Sequence, residues 1–281
     1  TKQLPPTAFF SMNSEDNNDE KIDCESVLEM FGGLYPEMLL KWHYRSRHDS
    51  LINVSNQEFY DGNLMIFPSS GTDEKATGLK YNYIPDSIYE RGTSRTNPIE
   101  AREVAKAVLK HAKYNPELTL GVVAFSTAQR DCIIMELERL RRLDSTSEKF
   151  FSKTNLEDFF VKNLENVQGD ERDIIILSTT YGKNKEGRFF RRFGPLGFKK
   201  GYKLLNVIIT RAKYKVYVCS SIPEEMILGY KQHLEVEGSN NRSAVFFAYL
   251  AYCKAVSEQN ENLRLAVLNT LAQNTPEFND L

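Results

Sequence analysis

Apolar residues recur at two spacings along this chain, and each spacing predicts one kind of element. In residues 99–113 and 127–142 they return every three to four positions, which is typical of an amphipathic helix. Residues 120–125 (LGVVAF) and 173–179 (DIIILST) are instead short, almost continuous apolar runs, typical of strands that are buried on both faces. Strands of this kind that alternate with helices predict a parallel sheet covered by helices.

The remaining segments extend this pattern. Residues 204–212 (LLNVIITRA) are ambiguous, because β-branched residues favour a strand whereas the apolar spacing fits a buried helix, and we favour a short helix. Residues 13–23 (NSEDNNDEKID) have almost no apolar side chains and are expected to form a mobile linker. We further predict helices at 26–31, 48–60, 244–256 and 262–272, within a tail 223–281 that is helical throughout, and strands at 81–84, 158–163 and 215–221.

Composition limits the classes of function. Of 281 residues, 41% are hydrophobic, which is enough to bury a sizeable core. The 36 basic and 38 acidic residues leave a net charge of -2, so any nucleic-acid binding must use a local basic patch. The four cysteines are far apart and form no CxxC pair, which argues against a metal site or a disulfide framework. We expect a soluble, cytoplasmic protein without a membrane segment, because no apolar run reaches about 18 residues.

Four polar segments carry the candidate chemistry: QLPPT at 3–7, WHYRSR at 42–47, NVQGDERD at 166–173 and LNVIITRAK at 205–213. Taken alone, the first and third are better explained as a proline-rich turn and an acidic loop before a strand, and the second is explained about as well as a charged surface strand. In the fourth, Arg211 lies where a guanidinium on a rigid element can reach a ligand at a domain interface. Ligands of open α/β sheets gather at the carboxyl ends of the strands, so that edge is where these segments are first expected.

The order of the segments is more informative than any one of them. QLPPT, HYR, the strand end VVAFS with Gln129, QGDERDIIILS and LNVIITRAK resemble the third to sixth motifs of superfamily 1 helicases. The resemblance covers roughly residues 1–222 and points to the branch of the nonsense-mediated-decay helicase and the Dna2-type nucleases. It implies an α/β, RecA-like fold of the P-loop NTPase type, in which helices flank a parallel sheet and a helical appendage follows. The implied parts are the tail of a first motor domain and a linker (1–22), a second RecA-like helicase domain (23–222) and a helical extension (223–281).

The resemblance also implies roles for individual residues. Arg45 and Arg211 would be arginine fingers that converge at one edge of the sheet, and Gln3 would sense the γ-phosphate. Tyr44 would lie against the adenine, Glu171 near the ribose, and Gly169 would allow close approach to phosphate. The residues implied to hold the nucleic-acid backbone are Ser126, Thr127, Ser178, Thr179 and Thr180.

The implied function is that of the C-terminal motor domain of an ATP-dependent DNA or RNA helicase acting on a single strand. ATP and Mg²⁺ are expected to be held mainly by a first RecA-like domain, because the sequence has no GxxxxGK[ST] loop and no acidic DE-type magnesium motif. The opening residues look like the middle of a loop, so we expect the chain to be part of a longer protein that hydrolyses ATP only as a whole.

Residues 183–203 form a basic segment with eight Lys/Arg, one Glu and five aromatic residues. Basic groups interleaved with aromatic faces suit a nucleic-acid strand, whereas a loop whose aromatic residues dock on the domain explains the composition equally well. Two other functions compete with a working helicase. A catalytically inactive nucleic-acid-binding scaffold would keep the binding alone. A nucleotide-dependent transferase is disfavoured, because no GxGxxG follows a strand and no nucleophile and base form an evident pair.

Overall fold

The computed structural model describes residue 38 and residues 40–66, 77–152, 158–197, 201–237 and 243–273. The predictions for Gln3, for the linker at 13–23 and for the helix at 26–31 therefore lie outside the described residues.

The described residues contain one sheet of five strands, with the order β1-β5-β4-β2-β3, and every neighbouring pair is parallel. The long strand β4 lies at the centre, between β5 and β2. This arrangement confirms the predicted α/β, RecA-like class of fold. The strands are β1 (Gly78–Tyr83), β2 (Leu120–Ala124), β3 (Phe160–Asn163), β4 (Arg172–Gly182) and β5 (Ala212–Ser221).

Helices cover both faces of the sheet. Those before β5 are α1 (Asn53–Phe59), α2 (Pro98–Tyr114), α3 (Thr127–Leu143), α4 (Glu148–Phe151) and α5 (Gly201–Ile209); those after it are α6 (Glu224–Leu228), α7 (Tyr230–Glu237), α8 (Ser243–Ser257) and α9 (Glu261–Gln273). Short 3-10 turns occupy Asp49–Leu51, Ser145–Ser147, Leu164–Asn166 and Gly194–Gly197. Within these described segments, no helix is both long enough and apolar enough to cross a bilayer.

The continuous apolar runs follow from this two-sided packing. Successive side chains of a strand point to opposite faces, so a strand covered on both faces needs apolar residues at every position. In β4, Ile174 and Ile176 pack in the core beneath α2 and α3, whereas Ile175 and Leu177 pack in the core that includes α5 and α8. Helix α8 is buried around its circumference and packs in the same core as Ile175 and Leu177.

In the structure, the ambiguous segment 204–212 contains the end of a helix and the first residue of a strand. Helix α5 ends at Ile209, and the hydroxyl of Thr210 donates back to the carbonyl oxygens of Asn206 (2.8 Å) and Val207 (3.1 Å). Strand β5 begins at Ala212. The favoured helix is confirmed, and the β-branched Ile208 and Ile209, which suggested a strand, lie on the buried side of a short helix.

Candidate nucleotide edge and nucleic-acid groove

Arg45 bridges the amino ends of β4 and β5. Its Nε donates to Oε2 of Glu171 at 2.7 Å, and its Nη1 donates to the carbonyl oxygen of Thr210 at 3.2 Å. Glu171 directly precedes β4, and Nζ of Lys213 in β5 lies 3.6 Å from its other carboxylate oxygen. The hydrogen bond from Arg45 lowers the pKa of Glu171, so this carboxylate stays charged at neutral pH.

Arg211 lies beside Arg45 at the end of α5. Its Nε donates to the carbonyl oxygen of Val207 at 2.7 Å, and its Nη1 donates to that of Asp170 at 3.4 Å. Burial, and after it the positive charge of Arg45, lower the pKa of Arg211. The two guanidinium groups thus meet at the 170–171 turn and the last turn of α5. They are 166 positions apart in the sequence (211 minus 45).

This cluster lies at the edge opposite to the one first expected. Glu171 precedes β4 and Arg211 precedes β5, so both sit at the amino ends of their strands. The general preference of ligands for carboxyl ends of strands was therefore the wrong guide for the arginine pair.

Tyr44 and Gly169 flank the arginines. Tyr44 is 82% exposed, which leaves its ring face open beside Arg45. Gly169 adopts φ +86 in a turn closed by a hydrogen bond from Asp170 N to the Val167 carbonyl oxygen at 3.2 Å, a left-handed conformation that favours glycine. A Cβ at Gly169 would meet nothing within 4 Å, so the backbone here is open to a ligand. The adenine, ribose and phosphate roles stay predictions.

His43 supports this segment and was not predicted from the sequence. Its Nε2 shares a hydrogen bond with the Ser46 hydroxyl (2.8 Å) and accepts one from the Ser46 backbone N–H (3.1 Å). Burial, and then the charge of Arg45, lower the pKa of His43 to about 4, so the ring is neutral and can accept these bonds. The hydrogen bonds between His43 and Ser46 thus close a turn that contains Tyr44 and Arg45.

A second candidate site, the carboxyl-edge groove, opens at the other end of the sheet with a volume of about 720 Å³. Ser126 caps α3 there, and its hydroxyl accepts a hydrogen bond from Gln129 N at 3.1 Å. Thr127 is exposed, and its hydroxyl oxygen accepts a bond from Asn163 Nδ2 at 3.1 Å. The groove thus contains the N-terminal end of a long helix, where backbone N–H groups favour anions.

The rest of the lining is basic and aromatic. It contains Arg91, Arg95, Arg192, Tyr89, Tyr181 and Phe190, with Glu165 as its acidic side chain. The guanidinium of Arg91 lies 4.2 Å from the ring centre of Phe190. Tyr89, Arg91 and Arg95 were not predicted as site residues, because residues 85–97 have no periodic pattern and no motif.

The basic segment 183–203 divides between its two interpretations. Arg192 and Phe190 are exposed and line the groove, as expected for a nucleic-acid contact. Phe193, in contrast, is buried against the rings of Phe246 and Phe247, with both pairs of ring centres 5.4 Å apart. The aromatic residues of this segment therefore both anchor it and contribute to the groove.

Ser178, Thr179 and Thr180 are placed differently from the expectation. All three are buried, and the hydroxyls of Ser178 and Thr179 donate to Glu100 (2.7 Å) and Ser220 (3.1 Å). A hydroxyl must be exposed to contact a nucleic-acid backbone, and in this conformation these hydroxyls face the interior. Of the five residues expected to hold the strand, Ser126 and Thr127 are the two at the surface of the groove.

Comparison with known proteins identifies the family of this chain. A sequence profile of the AAA domain family matches residues 24–222. The chain belongs to this family. Together with the relatives, this places the AAA-domain chain among superfamily 1 helicases of the nonsense-mediated-decay and Dna2-type branch.

Two relatives are each named an uncharacterised ATP-dependent helicase or its homologue. The one from Mycoplasma genitalium is 30% identical over 92% of this chain and 23% of its own length, and the one from Mycoplasma pneumoniae is 30% identical over 94% and 24%. A regulator of nonsense transcripts 1 homologue from Neurospora crassa is 28% identical over 64% of the chain and 16% of its own length. The AAA-domain chain thus spans about a quarter or less of these relatives.

Among solved structures, the C-terminal domain of a possible DNA helicase from Lactobacillus plantarum aligns with 63% of the chain and 86% of its own length, at 13% identity and a TM-score of 0.36. Within the described residues, no group of three or more His, Cys, Asp or Glu side chains is arranged to hold a metal ion.

Proposed function

We propose that this chain is the C-terminal motor domain of an ATP-dependent nucleic-acid helicase, in which it completes an ATP site at one edge of its sheet and holds a single strand at the other. The observation that carries the proposal is the meeting of Arg45 and Arg211 at the starts of β4 and β5. ATP and Mg²⁺ would be held mainly by a first RecA-like domain that faces this edge.

The residues at this edge fit a nucleoside triphosphate. Two guanidinium groups suit the charge of a γ-phosphate, and the exposed Tyr44 ring suits a base. Arg211 is held by carbonyl oxygens, which fix its direction without neutralising its charge. A guanidinium presented from a neighbouring domain stabilises the charge of phosphoryl transfer and contributes about 10³–10⁵ to its rate.

The groove at the other edge would hold the strand through its phosphates and bases. Arg91, Arg95 and Arg192 supply positive charge, and the exposed ring of Phe190 supplies a stacking face. Domain closure on ATP would bring Arg45 and Arg211 to the phosphates, and release after hydrolysis would open the cleft. Alternate grip by two such domains moves a strand in one direction.

The test is ATP hydrolysis by the protein that carries both this chain and the phosphate-binding domain. Arg211→Ala should lower turnover by about 10³–10⁵, because one source of transition-state charge stabilisation is lost, while ATP affinity changes by only a few-fold. Arg142→Ala, an exposed arginine at the end of α3, is the control and should leave turnover unchanged. Near-normal hydrolysis by the Arg211 variant would contradict the assignment.

The alternative is a scaffold that binds nucleic acid without hydrolysis. The groove supports this function as well as it supports a motor. If the wild type and the Arg211→Ala variant both bind the strand and neither hydrolyses ATP, the scaffold is favoured.

A further inference from the structure

A fully buried polar cluster lies directly behind the carboxyl-edge groove. It joins the first turn of α2, the start of α3 and the carboxyl ends of β4 and β5. Its members, all less than 5% exposed, are Asn97, Glu100, Gln129, Ser178, Thr180 and Ser221. A buried carboxylate is costly unless it is hydrogen-bonded, so its presence here calls for a physical reason.

Glu100 is the centre of the cluster. Its Oε1 accepts hydrogen bonds from the Ser178 hydroxyl and from Thr180 N, both at 2.7 Å. Its Oε2 accepts from the Ser221 hydroxyl at 2.5 Å, and the Ser221 backbone N–H also donates to the carboxylate. One carboxylate thus ties together the ends of two neighbouring strands.

Thr180 is the residue that this carboxylate constrains. Its φ is +70, a left-handed conformation that is rare for a β-branched residue. Both of its backbone groups are held by the first turn of α2, because Thr180 N donates to Glu100 (2.7 Å) and its carbonyl oxygen accepts from Asn97 Nδ2 (3.3 Å). Strained residues of this kind persist only where their surroundings fix them, and they cluster at functional sites.

The conformation of Thr180 sets the direction of the next two residues. These are Tyr181 and Gly182, and both line the groove. The pairing of β4 with β5 shifts register between Ser178 and Gly182, so the strand turns at this point. Tyr181 then packs edge-on against Tyr89 (5.5 Å) and Phe193 (5.3 Å).

The same cluster reaches the other wall of the groove through Gln129. Its side-chain oxygen accepts from Asn97 N (2.8 Å), and its Nε2 donates to the Asn97 carbonyl oxygen (3.1 Å) and the Ser178 hydroxyl (3.3 Å). Its backbone N–H donates to Ser126. Ser126 and Tyr181, which border the groove from different elements, are therefore positioned by one network.

We propose that Glu100 and Asn97 are positioning residues for the carboxyl-edge groove, which hold Thr180 in its left-handed conformation and so place Tyr181 and Gly182 in the wall of the groove. This inference rests on the proposed function, since it assigns the residues that shape the proposed binding site. Neither side chain lines the groove, so both act through other residues.

The charge of Glu100 provides a readout that a general structural role would not change. Burial raises the pKa of Glu100 to about 7. The described groups that face it are hydroxyls and amides of β4, β5, α3 and the start of α2, and the titratable neighbour is the Cys219 thiol, whose own pKa burial raises well above its usual range. Protonation near neutral pH would remove acceptor capacity from the cluster.

The experiment compares the wild-type chain with Glu100→Gln. In the glutamine, an NH₂ group that donates replaces one carboxylate oxygen that accepts, so at least one of the four bonds is lost. We expect binding of a fluorescent oligo-uridine or oligo-thymidine to weaken about tenfold, as a loss of one or two such bonds implies. Amide hydrogen exchange of residues 178–183 should also become faster. Glu103→Gln, which removes the same charge from the same helix away from the groove, is the control and should change neither.

Wild-type affinity should fall as pH is lowered from about 8 to about 6, whereas the Glu100→Gln profile should be flatter than both the wild-type and the Glu103→Gln profiles. Unchanged affinity, profile and exchange in the Glu100 variant would overturn the inference and leave the proposed function standing. If the wild type binds neither oligonucleotide, the proposed strand binding fails, and the exchange of residues 178–183 alone decides the positioning role. If the variant does not fold, the wild-type protection factors of residues 178–183, corrected for the intrinsic pH dependence of amide exchange, decide instead, and equal protection at the two pH values overturns the inference.

Discussion

Arg45 and Arg211 are held by different kinds of partner, and this difference matters at the scale of single residues. Arg45 is paired with the carboxylate of Glu171, whereas the described contacts of Arg211 are to carbonyl oxygens. A nucleotide that recruits Arg45 must compete with Glu171, but Arg211 can meet a phosphate without breaking an ion pair. Arg211 is therefore the sharper target for mutation.

The ionisation of Glu100 should also make the stability of the fold depend on pH. Its pKa is about 7 in the fold and near 4.5 when unfolded, so between these pH values the folded state binds the proton more tightly. The free energy of unfolding should therefore decrease through this group as pH rises from about 4.5 to about 7, by roughly 3 kcal/mol at most. Urea unfolding at several pH values should show this slope for the wild type and for Glu103→Gln, and Glu100→Gln should lack it. Parallel curves for all three proteins would contradict the prediction.

At the scale of elements, the close packing of β2 on β3 is testable. A Cβ at Gly121 would lie 2.4 Å from Cζ of Phe160, and the next two nearest atoms belong to the same ring. Phe160 cannot move freely, because the guanidinium of Arg172 covers its ring at 4.7 Å. Gly121→Ala should thus lower the free energy of unfolding by about 1–3 kcal/mol, measured by chemical denaturation.

Gly92 provides the control for that substitution. A Cβ there meets nothing within 4 Å, so Gly92→Ala should change the unfolding free energy by less than about 0.5 kcal/mol. Equal effects of the two substitutions would show that the contact with Phe160 is not the cause.

The elements themselves were largely predictable from the sequence, and the reasons are visible in particular segments. The apolar runs at 120–125 and 173–179 predicted β2 and β4, because strands covered on both faces have no polar alternation. Near the end of β4, the hydroxyls of Ser178 and Thr179 and the backbone N–H of Thr180 donate to Glu100 and Ser220, and no local pattern in the sequence reveals these partners. The groove was not predictable either, since Arg91 and Arg95 come from an irregular loop. The meeting of Arg45 and Arg211 followed from the family resemblance and not from spacing.

At the scale of the whole molecule, a net charge of -2 conceals a local basic site. The groove has three arginines and one glutamate in its lining, so strand binding should depend strongly on salt. In a plot of log affinity against log salt concentration, Arg95→Ala and Arg192→Ala should each reduce the slope by about 0.7, the value for one phosphate contact on a single strand. Arg142→Ala should leave the slope unchanged. A slope that is insensitive to both groove arginines would exclude this groove as the binding surface.

Strand β4 has 11 residues and therefore spans roughly 35 Å, from the turn that meets Arg45 to the residues that border the groove. It is bonded to a neighbour on each side and packed on both faces, so it cannot slide independently of the sheet. Any displacement that begins at its first residue must consequently reach its last one as a movement of the entire body. The arginines at the amino ends of the strands and the groove at their carboxyl ends would therefore move together as one rigid unit.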